Sequence, residues 1–139
     1  HLPPFCPPTG CLPSTLAPLG ADDLYNAAMT FPVYTGLGSD NVSPRAIAAL
    51  PRPLLTRLAS LLNKCEREGT WPDRWQLVLI CLLPKADGGR RPIGLFPAVI
   101  RLWMRTRAPD LRQWEQVHSH PALFGGAGMA ATRATWLSA

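Results

Sequence analysis

At 139 residues, with 47% hydrophobic and 17% charged side chains, the chain is long enough for one modest core, which at this size buries about two thirds of the unfolded surface. Its longest apolar run, Leu77 to Pro84, is far short of the ~20 residues that a membrane-spanning helix needs and suits a buried strand instead. The formal charge of +5 is local: of fourteen basic and nine acidic residues, seven and two lie between Lys85 and Arg112, leaving seven of each sign elsewhere, the pattern of a phosphate-binding surface or, more plainly, of a solvated basic face.

Residues 1–20 read as an extended arm. Six of the sixteen prolines stand in the first eighteen residues, where fixed φ angles and missing amide donors prevent a continuous helix or an interior strand. Cys6 and Cys11 could pair with each other or join His1 at a metal, but an arm of this kind holds ligands badly, so no metal is expected. The chain opens on His1 rather than Met, so the expectation is an upstream piece, removed or not represented, that could have carried a targeting peptide. The compartment stays open, with an intracellular one favoured.

Ala21 to Met29 places two acids in a first turn ahead of good helix formers and predicts a short helix. Asp22 and Asp23 superficially resemble a catalytic acid pair, but their place at a helix start favours capping. Phe31 to Asp40 is too rich in turn residues to continue that helix. Ser43-Pro44 then predicts a helix through Leu50, as a cap followed by proline at the first helical position, and Pro51 and Pro53 interrupt it. From Leu54 to Glu68, the residues Leu54, Leu55, Leu58, Leu61, Leu62 and Cys65 repeat at the spacing of one helical face, and Gly69 supplies the stop. This face is expected to pack on a strand over Gln76 to Leu83, apolar on both sides and buried between layers. Cys65 and Cys81 fall within these apolar patterns and read as small hydrophobes.

Asp87-Gly88-Gly89 is a hairpin-turn signal because glycine tolerates positive φ, and Arg90 to Leu95 is the expected return strand. Pro97 starts a helix through about Arg107, with Val99, Ile100, Trp103 and Met104 inward and Arg101 and Arg105 on an outer ridge. Pro109 restarts a helix to about His118, and a final short helix is expected near 130–137. His118 and His120 lack a third metal ligand and read as loop histidines. Trp71, Trp75, Trp103, Trp114 and Trp136 could stack on bases, although tryptophan is more often core. The whole predicts an α+β, mainly helical fold: short helices on a small antiparallel hairpin, with residues 21–139 as one domain.

The chemistry concentrates in Leu83-Pro84-Lys85-Ala86-Asp87-Gly88-Gly89-Arg90-Arg91-Pro92-Ile93. A point-charge lysine and two forked guanidiniums projected near one hairpin tip suit phosphate oxygens. No P-loop, GxGxxG or Ser-His-Asp grouping is present, and no cofactor is expected. Taken with Gly36-Leu37-Gly38-Ser39-Asp40-Asn41-Val42-Ser43-Pro44-Arg45 and Gly69-Thr70-Trp71-Pro72-Asp73-Arg74-Trp75, this segment resembles the fingers region of reverse transcriptases of the non-LTR retrotransposon kind, over roughly Ala21 to Trp136. The resemblance implies that Lys85 and Arg91 contact a nucleotide's triphosphate, with Arg90 auxiliary. Arg101, Arg105, Arg107 and Arg112 would follow the backbone of RNA or DNA.

Polymerases of that kind hold two metals on palm carboxylates, and after Asp110 this sequence has only Glu115 as an acid. The chain is therefore expected to lack enzymatic activity and to end about where a palm domain would begin. The alternative reading is a polymerase-derived remnant serving as a non-catalytic structural subunit, its basic hairpin meeting an acidic protein or lipid surface of a larger assembly.

Overall fold

Helix α1, Ala21–Met29, forms where its sequence places the signals for one. The Asp23 carboxylate accepts the amide of Gly20, the N-cap residue, at 2.8 Å, which satisfies a donor that the helix itself leaves unpaired. Leu24, Ala27 and Ala28 bury one stripe. The structure, a computed structural model, describes residues 16–117. The expectations for the arm with His1, Cys6 and Cys11, for His118, His120 and Trp136, and for a helix near 130–137 lie outside the described residues.

After α1, Phe31 turns into the core, and a 3₁₀ helix over Pro44–Ala49 takes the place of the expected Ser43–Leu50 helix. Arg45 fastens it to α1, donating to the carbonyls of Met29 at 3.0 Å and Phe31 at 2.9 Å. Helix α2, Arg52–Glu68, starts between the two prolines expected to interrupt it. Pro51 is the N-cap and Pro53 sits in the first turn, where a missing amide costs no intrahelical bond. Gly69 ends α2 with φ 63, the left-handed conformation that glycine adopts without penalty.

The inner face of α2 is Leu55, Ala59, Leu62 and Cys65, with Leu58 half-buried. It packs on α1 rather than on the strand expected to cover it. Leu54 and Leu61, included in the expected stripe, are exposed, because α1 and the first half of a later helix, α4 (Ala98–Val117), meet only the inner face of α2 and no sheet lies on its outer one. Asn63 adds a polar clasp: its Oδ1 accepts the Leu19 amide at 2.8 Å and its Nδ2 donates to the Leu19 carbonyl at 2.9 Å. Asn63→Ala is expected to lower stability by about 1–3 kcal/mol, since Leu19 is buried and both of its groups lose a partner. Urea unfolding measures this, and a loss under about 0.5 kcal/mol would mean that water replaces the clasp.

A single turn, α3 over Asp73–Gln76, precedes a two-stranded antiparallel hairpin of β1, Leu79–Pro84, and β2, Arg90–Leu95. The strand therefore starts later than expected, and it is not buried between layers. Ile80 is 58% exposed and Leu82 is 54% exposed, with Leu79 and Leu83 also open. An apolar run reports what a strand would bury if covered, and no described element covers the outer face of this ribbon.

Helix α4, Ala98–Val117, runs unbroken through Pro109, which was expected to restart it. Proline's φ suits a helix, and the cost is one ladder bond and a steric clash, ~3 kcal/mol, which the turns on either side outweigh. Ala98 and Leu102, four apart, are the fully buried positions of its first half, while Met104 points outward, contrary to expectation. The core joins Leu19, Leu24, Phe31, Ile47, Leu55, Leu62 and Leu102, flanked by Trp71, Trp75 and Trp103. The architecture is α+β and mainly helical. Chain contacts separate one unit ending at Thr106 from another beginning at Arg107. The described part of the second unit is the latter half of α4, with Leu111 and Trp114 exposed.

Candidate nucleic-acid interface

The hairpin turn follows from two residue types. Gly88 takes φ 81 and donates to the Lys85 carbonyl at 3.2 Å, and the Lys85 amide donates to the Gly89 carbonyl at 2.8 Å. The Asp87 carboxylate accepts the Gly89 amide at 3.0 Å, so the acid at the tip is used in building the turn. This closes a three-residue loop, and from it the cross-strand register places Arg90 opposite Pro84 and Arg91 opposite Leu83.

Side chains alternate across a strand, so the register sorts the three hairpin cations. Lys85 and Arg91 share one face as diagonal neighbours, whose Cα atoms lie roughly 7–8 Å apart in such a ladder. Arg90 projects from the opposite face. All three are exposed. Among the described residues ion pairs join Asp22 to Arg52, Lys64 to Glu68 and Arg107 to Asp110, and no hairpin cation takes part in one.

The cations of α4 are organised differently. Arg101 is half-buried, donates to the Gly36 carbonyl, and holds its guanidinium carbon 5.6 Å from the centre of the Phe31 ring. Arg105 is exposed and lies 4.8 Å from the same ring. An aromatic face orients a guanidinium without neutralising it, so both stay positive while also docking α4 on the turn after α1. A Cβ on Gly36 would touch Leu95 at 3.7 Å, which places this turn beside the far end of β2. Leu95 is four residues from Arg91, about 13 Å along a strand, so these two arginines form a group apart from the hairpin tip.

In the second unit Arg107 pairs with Asp110 at 3.0 Å and its side chain is only 11% exposed, whereas Arg112 is exposed. Arg107 thus serves the helix more than a ligand.

The segment Gly36 to Asn41 builds a brace. Asp40 Oδ2 accepts the Ala98 amide at 2.7 Å, placing an acid at the N-terminus of α4, and its Oδ1 accepts the Val42 amide at 3.2 Å. Ser39 donates to the Leu77 carbonyl at 2.8 Å. Gly38 has no room for a side chain, since a Cβ there would lie 2.2 Å from the Phe96 carbonyl oxygen. One stretch therefore holds the base of the hairpin and the start of α4 together.

The remaining candidates resolve locally. Asp22 makes a two-point pair with Arg52 at 2.7 and 2.6 Å, and that hydrogen bonding holds its carboxyl below the usual range. Trp71 packs on Trp103 at 4.7 Å, and the Trp103 indole donates to Glu66, while burial pushes the Cys65 thiol up. No group of three or more His, Cys, Asp or Glu that could hold a metal occurs among the described residues, nor a helix long and apolar enough to cross a membrane.

Sequence reasoning missed Tyr34. The residue is 98% exposed in the turn whose Gly36 carbonyl holds Arg101. A lone tyrosine in a turn has no periodic neighbours to mark it. The chain matches no protein-family model, no curated protein and no solved structure.

Proposed function

We propose that this chain binds the sugar-phosphate backbone of single-stranded nucleic acid through its hairpin tip, as a reverse-transcriptase fingers-like fragment without polymerase chemistry. The observation that carries the proposal is the exposed pair Lys85 and Arg91 on one face of a hydrogen-bonded turn, clear of any carboxylate partner among the described residues. A point charge beside a planar fork fits adjacent phosphate oxygens. Arg101 and Arg105, oriented by Phe31, extend the positive surface, and Tyr34 offers a ring on which a base can stack. Catalysis is left out because two-metal chemistry needs clustered carboxylates, and Asp22, Asp23, Asp40, Asp87 and Asp110 are engaged in an ion pair, caps, a turn and a helix pair.

Phosphate contacts release counterions, so log affinity should fall with log salt at a slope of about −0.7 per contact for single strands. Lys85→Ala with Arg91→Ala should weaken binding equally for unrelated RNA sequences and make the slope shallower by about 1.4, two contacts' worth. Filter-binding titrations of both proteins at several salt concentrations test this. A flat salt response, or identical curves, would remove the nucleic-acid reading.

The exposed apolar ribbon favours a second reading, a non-catalytic subunit whose hairpin is covered within a larger assembly. There the same double substitution would leave RNA binding weak and unchanged while loosening a protein or lipid contact.

A further inference from the structure

Each strand of a two-stranded sheet has one edge paired and one edge free, and the two free edges here are chemically unequal. In an antiparallel ladder, residues that exchange hydrogen bonds alternate with residues whose N–H and C=O point away from the partner strand. The bond from the Lys85 amide to the Gly89 carbonyl sets the phase. Leu83 and Arg91, Cys81 and Ile93, and Leu79 and Leu95 are the bonded pairs, while Pro84 and Arg90, Leu82 and Pro92, and Ile80 and Gly94 direct their backbone groups outward.

The outer edge of β2 is interrupted at its middle by Pro92, which has no amide to offer, a common way of blunting an edge. The outer edge of β1 is open. Ile80 and Leu82 each present an outward N–H and C=O, neither makes a further hydrogen bond, and both residues are more than half exposed.

We propose that two copies of this chain pair through the β1 edge, antiparallel about a two-fold axis at Cys81, to give a four-stranded sheet ordered β2, β1, β1, β2. The edge is complementary to itself. In this register Ile80 of each copy faces Leu82 of the other, and these residues exchange four hydrogen bonds, using both outward groups of each. Cys81, whose own groups point inward to Ile93, falls at the non-bonded position where the ladder needs none.

Charge selects the same occupant. β1 is uncharged from Leu79 to Pro84, and so is its symmetric mate. The antiparallel register sends the two Lys85 tips to opposite ends, eight residues or about 26 Å apart, beyond the ~8–10 Å over which salt leaves charges in contact. Ile80 and Leu82 of each copy then stand beside Leu82 and Ile80 of the other, so that each side chain covers part of its cross-strand neighbour. The inference does not depend on nucleic-acid binding.

Sedimentation of the 139-residue chain over a wide concentration range, combined with hydrogen exchange, tests the proposal. The expected result is a monomer–dimer equilibrium in which exchange at the Ile80 and Leu82 amides slows about ten-fold once nine-tenths of the chains are paired, since exchange then proceeds from the free tenth. Gly94 and Arg90, on the β2 edge, should not respond. Leu82→Pro removes one outward amide without touching the bonds inside the hairpin and should leave a monomer at every concentration. If circular dichroism shows that Leu82→Pro is unfolded, Ile80→Lys serves instead, since it keeps the backbone and sets a charge against the partner's Leu82. In a Cys6→Ser, Cys11→Ser background, copper-catalysed oxidation by dioxygen should join the two Cys81 thiols as one disulfide, because non-bonded pairs hold Cα atoms ≈ 4.5 Å apart, within disulfide reach. A wild-type chain that stays monomeric, a dimer that Leu82→Pro and Ile80→Lys leave intact, or protection that appears at Gly94 and Arg90 instead would overturn the proposal.

Discussion

Gly38→Ala is expected to destabilise the protein by about 3 kcal/mol or more, at or beyond the upper end of the overpacking range. The new methyl group would lie 2.2 Å from the Phe96 carbonyl oxygen and 2.7 Å from its carbon, and both are backbone atoms that no rotamer change can move aside. Relief requires the segment to withdraw from the β2–α4 junction. Withdrawal would break the bond from the Ala98 amide to Asp40 and the bond from Ser39 to the Leu77 carbonyl. The damage is thus cooperative, and the hairpin base and the start of α4 should loosen together. Gly69→Ala is the control: it has open space around it but φ 63, so it should cost only the roughly 1–2 kcal/mol of a left-handed alanine. Urea unfolding of the two variants compares them directly, and a Gly38→Ala protein within about 1 kcal/mol of wild type would show that the brace yields easily.

Leu102→Ala should cost about 2–5 kcal/mol, as should Leu62→Ala, because both side chains are fully buried in the cluster joining α1, α2 and α4. Leu54→Ala and Leu61→Ala, on the same helix as Leu62 but outward-facing, should each cost under about 1 kcal/mol, since exposed leucines surrender little buried area. The contrast within one helix is the decisive measurement. Equal losses at Leu61 and Leu62 would mean that α2 is covered on both sides.

Of the candidate interface, the hairpin tip was legible in the sequence and its sorting was not. Asp87-Gly88-Gly89 announces a turn because two glycines and a short acid suit its backbone. That Lys85 and Arg91 share a face while Arg90 does not depends on the register, and so on a three-residue loop rather than a two-residue one. A one-residue difference there exchanges the faces. The basic surplus from Lys85 to Arg112 was equally visible, yet it hides four situations: free at the tip, held on Phe31, paired as Arg107 is with Asp110, and exposed as Arg112 is. Composition counts charges, and only packing determines which of them already have an engagement.

Local chemistry by itself determined where α1 starts and stops, where α2 ends, and where the hairpin turns, because caps, left-handed glycine and first-turn acids act within a few residues of one another. Tertiary structure decided which apolar residues are inside. The stripe on α2 was wide enough to face a sheet, and of it Leu55, Leu62 and Cys65 are buried and Leu58 half-buried, while Leu54 and Leu61 stay outside. The run from Leu77 to Pro84 looked like a buried strand, but burial belongs to the pair of surfaces that meet and not to one of them. The brace at Gly38 and Asp40 acts across 58 residues of chain, from Asp40 to Ala98, and no periodicity in a sequence can signal a contact between two segments so far apart.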